Sequence, residues 1–164
     1  MSCMLWCNVE TTFGIVSVGW RESEEIVSRL SLKASPELVA INPESVPAGI
    51  LEAVYQIQAY SSGLRREFDI ALFDLSVDGG EFVQTVYDLV YEIPFGRTRT
   101  YQDIATAAGK PGGAQAVGGI MRRNPLPLVI PCHRVIAAMG KLGGFAYGPQ
   151  LKERLLKHEG AILL

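Results

Sequence analysis

The sequence predicts two domains, a small α/β domain over residues 1–78 and a mainly α-helical domain over residues 79–164. Alternating apolar and polar residues on either side of Gly14 predict a β-hairpin near the start of the chain. Helix-period apolar residues dominate after residue 80, and "SVDGG" (76–80) separates the two patterns. The expected class is therefore α/β followed by mainly α.

Four further elements are predicted in the first half. The segment "EIVSRLSL" is typical of a strand, and "SPELVAI" of a short helix with Ser35 as its N-cap. Residues 47–63 predict a longer helix with Ile50 and Ile57 on one face. The run "FDIALFDL" (68–75) is interpreted as a buried strand.

The second half carries a helix-turn-helix pattern. A helix is expected over residues 80–93. Thr100 and Asp103 form a capping box before a second helix, which Gly109 should end. A third helix is expected from about Ala114 to Arg123, after a glycine-rich turn. Two short helices across a tight turn are typical of DNA-binding proteins.

The helix expected from about Ala114 to Arg123 should present an outward face of Gln115, Gly118, Gly119 and Arg122. Two glycines inside a helix lower its stability by roughly 1 kcal/mol each, so something must approach this backbone closely. Either a nucleic acid or a neighbouring helix of the same protein could do so. The adjacent cations favour nucleic acid.

Charge is unevenly distributed along the 164 residues. The formal net charge is −2, yet residues 95–145 hold seven basic residues and one acid, an excess of six. This block indicates either a polyanion partner or a solvated basic face. The N-terminus lacks a basic region and a long apolar core, so we expect no signal peptide, no membrane segment and a cytoplasmic location, or a nuclear one in a eukaryote.

Three cysteines, Cys3, Cys7 and Cys132, do not suggest a disulfide framework, and with two histidines they make a poor metal set, so no metal is expected. Cys132 precedes His133 and Arg134 inside the basic block. Cationic neighbours favour a thiolate, and a histidine can act as its base. The alternative is a buried cysteine that serves only as a small hydrophobic residue.

The motif "PCHRV" (131–135), preceded by "AVGGIMRRNP" and "TYQDIA", resembles the O6-alkylguanine-DNA alkyltransferases. The resemblance is dense over about 80–164 and weak over 1–79, where only the order of elements fits the ribonuclease-H-like domain of that family. It implies a cofactor-independent DNA repair protein, monomeric in solution, that binds double-stranded DNA through the minor groove. Such a protein flips O6-alkylguanine, chiefly O6-methylguanine, out of the duplex and transfers the alkyl group once to its own cysteine.

The resemblance also implies roles for individual residues. Cys132 is the acceptor, His133 its base through a water, and Glu159 the carboxylate that orients the histidine. Tyr101 donates to the flipped base, and Asn124 ties the recognition helix to the active-site loop.

Further matched positions are expected to contact the DNA or the base. The main chain of Val135 reads guanine, and Arg122 lies near the phosphates. Gln115 stands where the family commonly has an arginine that fills the gap left by the flipped nucleotide, so weaker DNA affinity is expected. The alkyl pocket is expected to be formed by Phe145, Ala146 and Tyr147, with Tyr147 narrowing it against bulky adducts.

Two other functions fit parts of this pattern. A damage-sensing binding protein would keep the fold without the thiol, which the intact "PCHRV" argues against. The other is a cysteine hydrolase or a regulator built on a helix-turn-helix. A hydrolase would need an oxyanion site and turnover, and only two histidines are present.

Overall fold

The computed structural model describes residues 3–35 and 45–161. The chain forms two compact units, Met1–Leu75 and Ser76–Leu164, which divide close to the boundary expected at 78/79. None of the described helices is long and apolar enough to cross a bilayer.

The first unit is built on a three-stranded antiparallel sheet in the order β1-β2-β3. The strands are β1 (Met4–Thr11), β2 (Gly14–Arg21) and β3 (Arg29–Ser31). The predicted hairpin is confirmed, with Thr11 opposite Gly14 at its closed end. Gly19 lies opposite Trp6, and a Cβ at Gly19 would come within 2.9 Å of the indole ring. The missing side chain therefore lets the ring lie flat on the sheet.

A helix of the described part of this unit, α1 (Ala48–Ser61), confirms the prediction for residues 47–63. Its inward face carries Ile50, Ala53, Ile57 and Tyr60, all fully buried. The strand predicted in "EIVSRLSL" is confirmed at β3, preceded by an isolated bridge at Val27. The predicted helix "SPELVAI" lies almost entirely outside the described residues.

The strand predicted over residues 68–75 is wrong. A 3₁₀ turn occupies Ile70–Leu72, and only Phe73 forms a bridge, to Val27. The Asp69 carboxylate accepts a hydrogen bond from the backbone N–H of Ala71 at 3.1 Å. A short acidic side chain that bonds its own backbone stabilises a turn over an extended strand.

The second unit is mainly helical, with a parallel two-stranded pairing between β4 and β5. In chain order its elements are α2 (Glu81–Tyr91), β4 (Arg99–Thr100), α3 (Tyr101–Ala107), α4 (Ala114–Arg122), β5 (Val135–Ile136) and α5 (Pro149–His158). The buried hydroxyl of Tyr87 on α2 donates to the Ile120 carbonyl of α4 at 2.9 Å. This bond ties α4 to the helix beneath it.

Both predicted ends of α3 are confirmed. The Thr100 hydroxyl accepts from the Asp103 N–H at 3.0 Å, and the Asp103 carboxylate accepts from the Thr100 N–H at 2.8 Å. At the other end Gly109 has a φ of +74°, and the N–H groups of Gly109 and Lys110 donate back into the last turn. The capping box thus fixes where Tyr101 begins its helix, beside the site described next.

Candidate active site

Cys132 lies at the base of a cavity of about 530 Å³ in the second unit. It begins a 3₁₀ turn, Cys132–Arg134, between the proline-rich segment and β5, and is 4% exposed. The cavity is lined by α3, α4, Cys132 and the loop before α5; its lining residues are Tyr101, Ala114, Gln115, Gly118, Gly119, Met121, Arg122, Cys132, Ala137, Gly143, Gly144, Phe145 and Ala146. The thiol is therefore buried from bulk solvent and open to a molecule in the cavity.

His133 turns away from the cavity toward the end of α5. Its Nε2 lies 2.8 Å from Oε1 of Glu159, and both side chains are buried. Burial lowers the pKa of His133, against the opposing effect of Glu159, so the ring is neutral near pH 7. An ionised carboxylate only accepts, so Nε2 carries the proton and Nδ1 keeps a lone pair. Nδ1 is buried and makes no hydrogen bond to the described residues.

Glu159 is the C-cap residue of α5 and accepts from several donors. Arg134 donates from Nε to Oε2 at 2.9 Å and from Nη2 to Oε1 at 2.9 Å, and the Gly96 N–H donates to Oε2 at 3.1 Å. Burial acts to raise the pKa of Glu159, but the hydrogen bonds and charges of His133 and Arg134 outweigh it and hold this pKa well below its usual range. The carboxylate that orients the histidine therefore stays ionised.

Arg134 has a structural role, because it forms a buried salt bridge with Glu159 rather than a surface contact. It is buried, and its Nη1 also donates to the Ile93 carbonyl at 2.6 Å. The cation that follows the Cys-His pair in the sequence therefore neutralises Glu159 and anchors it to the end of α2.

Asn124 joins the end of α4 to the segment that carries the thiol. Its Nδ2 donates to the Ile130 carbonyl at 2.7 Å, and its Oδ1 accepts from the Leu126 N–H at 3.0 Å. Burial raises the pKa of the Cys132 thiol, while a hydrogen bond from the Asn124 side chain and the charge of Lys152 act to lower it. The resting thiol is therefore mostly protonated near pH 7, and a base is needed to generate the thiolate.

Tyr101 stands at the first position of α3, at the cavity wall, and its hydroxyl donates to the Gly144 carbonyl at 2.9 Å. Burial raises the pKa of this phenol, so it remains a proton donor. Close to it lies Lys152 of α5, which sequence reasoning missed. The signal was present: Lys152 precedes Leu155 and Leu156 by three and four residues, so it lies on the buried face of the helix.

The α4 side of the cavity bears the four outward residues predicted from the sequence. Gln115 and Arg122 are exposed at its two ends, with Gly118 and Gly119 between them. A Cβ at Gly119 would meet no atom within 4 Å, and one at Gly118 would meet only the Tyr101 ring, at 4.0 Å. Packing within this unit therefore does not require the two glycines. On the other face of α4, Val117 and Met121 are buried, while Ala114 is partly exposed at the cavity.

The loop before α5 forms the opposite wall. Phe145 and Ala146 line the cavity, whereas Tyr147 contacts the Phe145 ring edge-on, with centroids 5.7 Å apart, and is not among the lining residues. Val135 is buried in β5, and its carbonyl accepts from Lys152 at 2.6 Å. Within residues 3–35 and 45–161, no group of three or more His, Cys, Asp or Glu side chains is arranged to hold a metal ion.

Residues 81–161 match the family model described as 6-O-methylguanine DNA methyltransferase, DNA binding domain. A methylated-DNA–protein-cysteine methyltransferase of Methanosarcina acetivorans is 46% identical over 110 residues, which cover 67% of this chain and 69% of the relative. The protein of the same name from Mycolicibacterium paratuberculosis is 44% identical over 113 residues, 69% of this chain and 67% of the relative.

Solved structures extend the similarity over nearly the whole chain. The Mycobacterium tuberculosis O6-methylguanine methyltransferase superposes with a TM-score of 0.78 at 31% identity, covering 96% of this chain and 93% of that one. The Mycobacterium tuberculosis OGT in complex with DNA gives a TM-score of 0.78 at 33% identity, covering 94% and 92%. With this fold, this site and these relatives, the chain belongs to the methylated-DNA–protein-cysteine methyltransferase family.

Proposed function

We propose that this protein repairs DNA by direct damage reversal, transferring the alkyl group of O6-alkylguanine, chiefly O6-methylguanine, to Sγ of its own Cys132. The observation that carries the proposal is a buried thiol at the base of a cavity, adjacent in sequence to a neutral histidine that a buried carboxylate orients. Family membership supplies the substrate class, since its relatives are named for methylated DNA and protein cysteine.

The first chemical step is activation of the thiol. The lone pair on Nδ1 of His133 receives the Cys132 proton, through a bridging water, and Glu159 stabilises the imidazolium that forms. Because burial raises the pKa of Cys132, the thiolate is generated at the moment of reaction rather than stored. A thiol kept protonated until then is less exposed to oxidation.

Alkyl transfer follows by displacement. The thiolate forms a new S–C bond to the alkyl carbon while the C–O6 bond breaks. The electron pair of the broken C–O6 bond passes to the guanine. The Tyr101 hydroxyl donates to the base and stabilises this developing anion. The main-chain groups of Cys132 and Val135 read the guanine edge. The product is a thioether with a poor leaving group, so each molecule reacts once.

The DNA partner is bound through α3 and α4, which act as a helix-turn-helix around the turn at Lys110–Gly113. The small surface at Gly118 and Gly119 admits the minor groove to the α4 backbone, and Arg122 lies near the phosphates. Gln115 occupies the gap left by the flipped nucleotide. In this arrangement Asn124 transmits the position of α4 to the thiol segment.

The remaining parts of the proposal concern the protein as a whole. It acts without cofactor, as a monomer, in the cytoplasm or in the nucleus of a eukaryote. The first unit takes the place of the family's ribonuclease-H-like domain.

The test is to incubate the protein with duplex DNA containing one O6-methylguanine and to measure the mass of the peptide containing Cys132. One methyl group per protein molecule, with loss of the DNA lesion, is expected; Cys132→Ser should bind the duplex and leave it methylated. Binding by the wild type without a mass change would support a damage-sensing protein instead. Repeated turnover would point to a hydrolase.

A further inference from the structure

Lys152 is the one lysine among the described residues that is fully buried, and its ammonium contacts Tyr101, which lines the candidate site. Nζ donates to the Val135 carbonyl at 2.6 Å, to the Gly144 carbonyl at 3.2 Å and to the Tyr101 hydroxyl at 3.4 Å. Three donors thus meet three oxygens from β5, the loop before α5 and α3. Lysine has only three N–H bonds, so its hydrogen bonding is complete.

None of these partners is a carboxylate. The charge of Arg134 is neutralised by Glu159, whereas the acceptors found for Lys152 among the described residues are two carbonyl dipoles and a phenol. A buried cation without a countercharge is costly to retain, so it is expected where negative charge develops. Burial lowers the pKa of Lys152 to about 8, and the charge of Cys132 acts in the opposite direction.

The Gly144 carbonyl is shared between two donors, the Tyr101 hydroxyl at 2.9 Å and Lys152 at 3.2 Å. When the Tyr101 hydroxyl turns to a base in the cavity, it must give up this carbonyl. Lys152 keeps the carbonyl hydrogen-bonded, so releasing the hydroxyl leaves no unsatisfied acceptor. A cation that donates to the phenol oxygen also makes its O–H a stronger donor.

From these contacts we propose that Lys152 is a positioning residue of the transfer site, which frees the Tyr101 hydroxyl to donate into the cavity and supplies the positive charge that favours the Cys132 thiolate. The effect of Lys152 on Tyr101 rests on the proposed function. The effect of Lys152 on the Cys132 thiolate does not depend on the proposed function. Among the described residues, the titratable groups that interact with Lys152 are Tyr101 on α3, through a hydrogen bond, and Cys132 and His133 on the 3₁₀ turn, through their charges.

The first arm is a double-mutant cycle on methyl transfer, using Lys152→Met, Tyr101→Phe and the double variant. Lys157→Met is the matched control, because Lys157 lies on the same helix with its side chain 70% exposed, paired with Glu153. Loss of the phenol donor should slow transfer by about 100-fold. Lys152→Met should slow it by about 30-fold or more. In the Tyr101→Phe background the same substitution should cost much less than that factor, because only the effect of Lys152 on the thiol remains once the phenol donor is gone. Rates that multiply instead would show that Lys152 does not act through Tyr101.

The second arm measures alkylation of Cys132 by iodoacetamide from pH 6 to 9, followed on its own peptide so that Cys3 and Cys7 do not interfere. Lys152→Met should slow this reaction below pH 9 and move its midpoint to higher pH, while Lys157→Met should match the wild type. If the wild type gains no methyl from DNA, the proposed function fails, yet this arm still decides the effect on the thiol. Identical alkylation profiles in the wild type, Lys152→Met and Lys157→Met would overturn the proposed effect of Lys152 on the thiol.

A folding control accompanies both arms. Thermal unfolding of each variant is measured first, and if Lys152→Met does not fold, Lys152→Gln replaces it. Glutamine keeps a donor for the Gly144 carbonyl but carries no charge, so transfer should be partly retained while the thiol midpoint still rises. A variant with wild-type values in both measurements would contradict the proposal.

Discussion

At the scale of single residues, the carboxylate of Glu159 determines how His133 can function. It holds the Nε2 proton of His133, neutralises Arg134 and accepts from Gly96. Gly96 has a φ of +74°, and a Cβ there would come within 2.8 Å of the Glu159 carbonyl. The histidine's tautomer is therefore set by a carboxylate that donors on two other segments, Arg134 and the Gly96 N–H, hold in place.

Replacing Glu159 with Gln should destabilise the protein by about 3–5 kcal/mol, because Arg134 is left buried without its countercharge. Urea unfolding at pH 7 measures this. Glu153→Gln is the control: its exposed pair with Lys157 should contribute less than about 1 kcal/mol.

The same substitution has a pH signature. The folded pKa of Glu159 is depressed, so its stabilisation is present above the carboxyl's ordinary value of about 4.3 and is lost as pH falls below it. The difference between wild type and Glu159→Gln should therefore be constant from pH 7 to 5 and shrink toward pH 3. A difference that grew with acidification would contradict the assignment.

At the scale of elements, α4 combines a packed face with a face that none of the described residues of its own unit covers at Gly119. Val117, Ile120 and Met121 are buried, whereas a Cβ at Gly119 would stand in open space. The glycine is thus unnecessary for folding of the unit. A substitution at Gly119 can therefore test DNA binding separately from the stability of the protein.

Gly119→Ala should stabilise the free protein by about 0.5–1 kcal/mol, since alanine is the better helix former. The added methyl should keep the DNA groove from approaching the α4 backbone, and so weaken DNA binding about tenfold, or roughly 1.4 kcal/mol. Thermal unfolding and fluorescence anisotropy measure the two effects. Gly14→Ala is the control: its site is equally open, but its φ of +115° should make alanine destabilising without changing DNA affinity.

Elements fixed by local chemistry were predictable from the sequence. The capping box at Thr100 and the glycine end of α3 depend on residues within one or two turns, and both are confirmed. The segment 68–75 failed because the Asp69 side chain bonds its own backbone, which an apolar pattern does not reveal. Helical spacing places Lys152 on the buried face of α5, but no sequence pattern indicates its three acceptors, which lie 8, 17 and 51 residues away.

At the scale of the whole molecule, the basic block of residues 95–145 is largely available to a polyanion. Six of its seven cations have exposed side chains: Arg97, Arg99, Lys110, Arg122, Arg123 and Lys141. Arg134 is withdrawn into its salt bridge with Glu159. The sequence predicted the excess of charge, and the structure identifies which member of it does not face solvent.

Gln115→Arg should tighten DNA binding, because arginine adds charge and stacking surface at the exposed start of α4. If the new cation neutralises one phosphate, the slope of log K against log salt should steepen by about 0.9. Affinity for duplex DNA measured at several salt concentrations gives both numbers. Gln58→Arg, on the exposed side of α1, adds the same charge elsewhere and should change neither. Unchanged or weaker binding by Gln115→Arg would count against the placement of Gln115 in the duplex.

The distance in sequence between Cys132 and Glu159 bears on how the protein is made. The ribosome adds Glu159, the carboxylate that orients His133 and neutralises Arg134, only after it has added Cys132. A nascent or prematurely ended chain that stops between them holds the cysteine without the means to activate it. The order of synthesis therefore places the orienting carboxylate after the Cys-His pair, and this buried group of side chains is complete only once the end of α5 has been made.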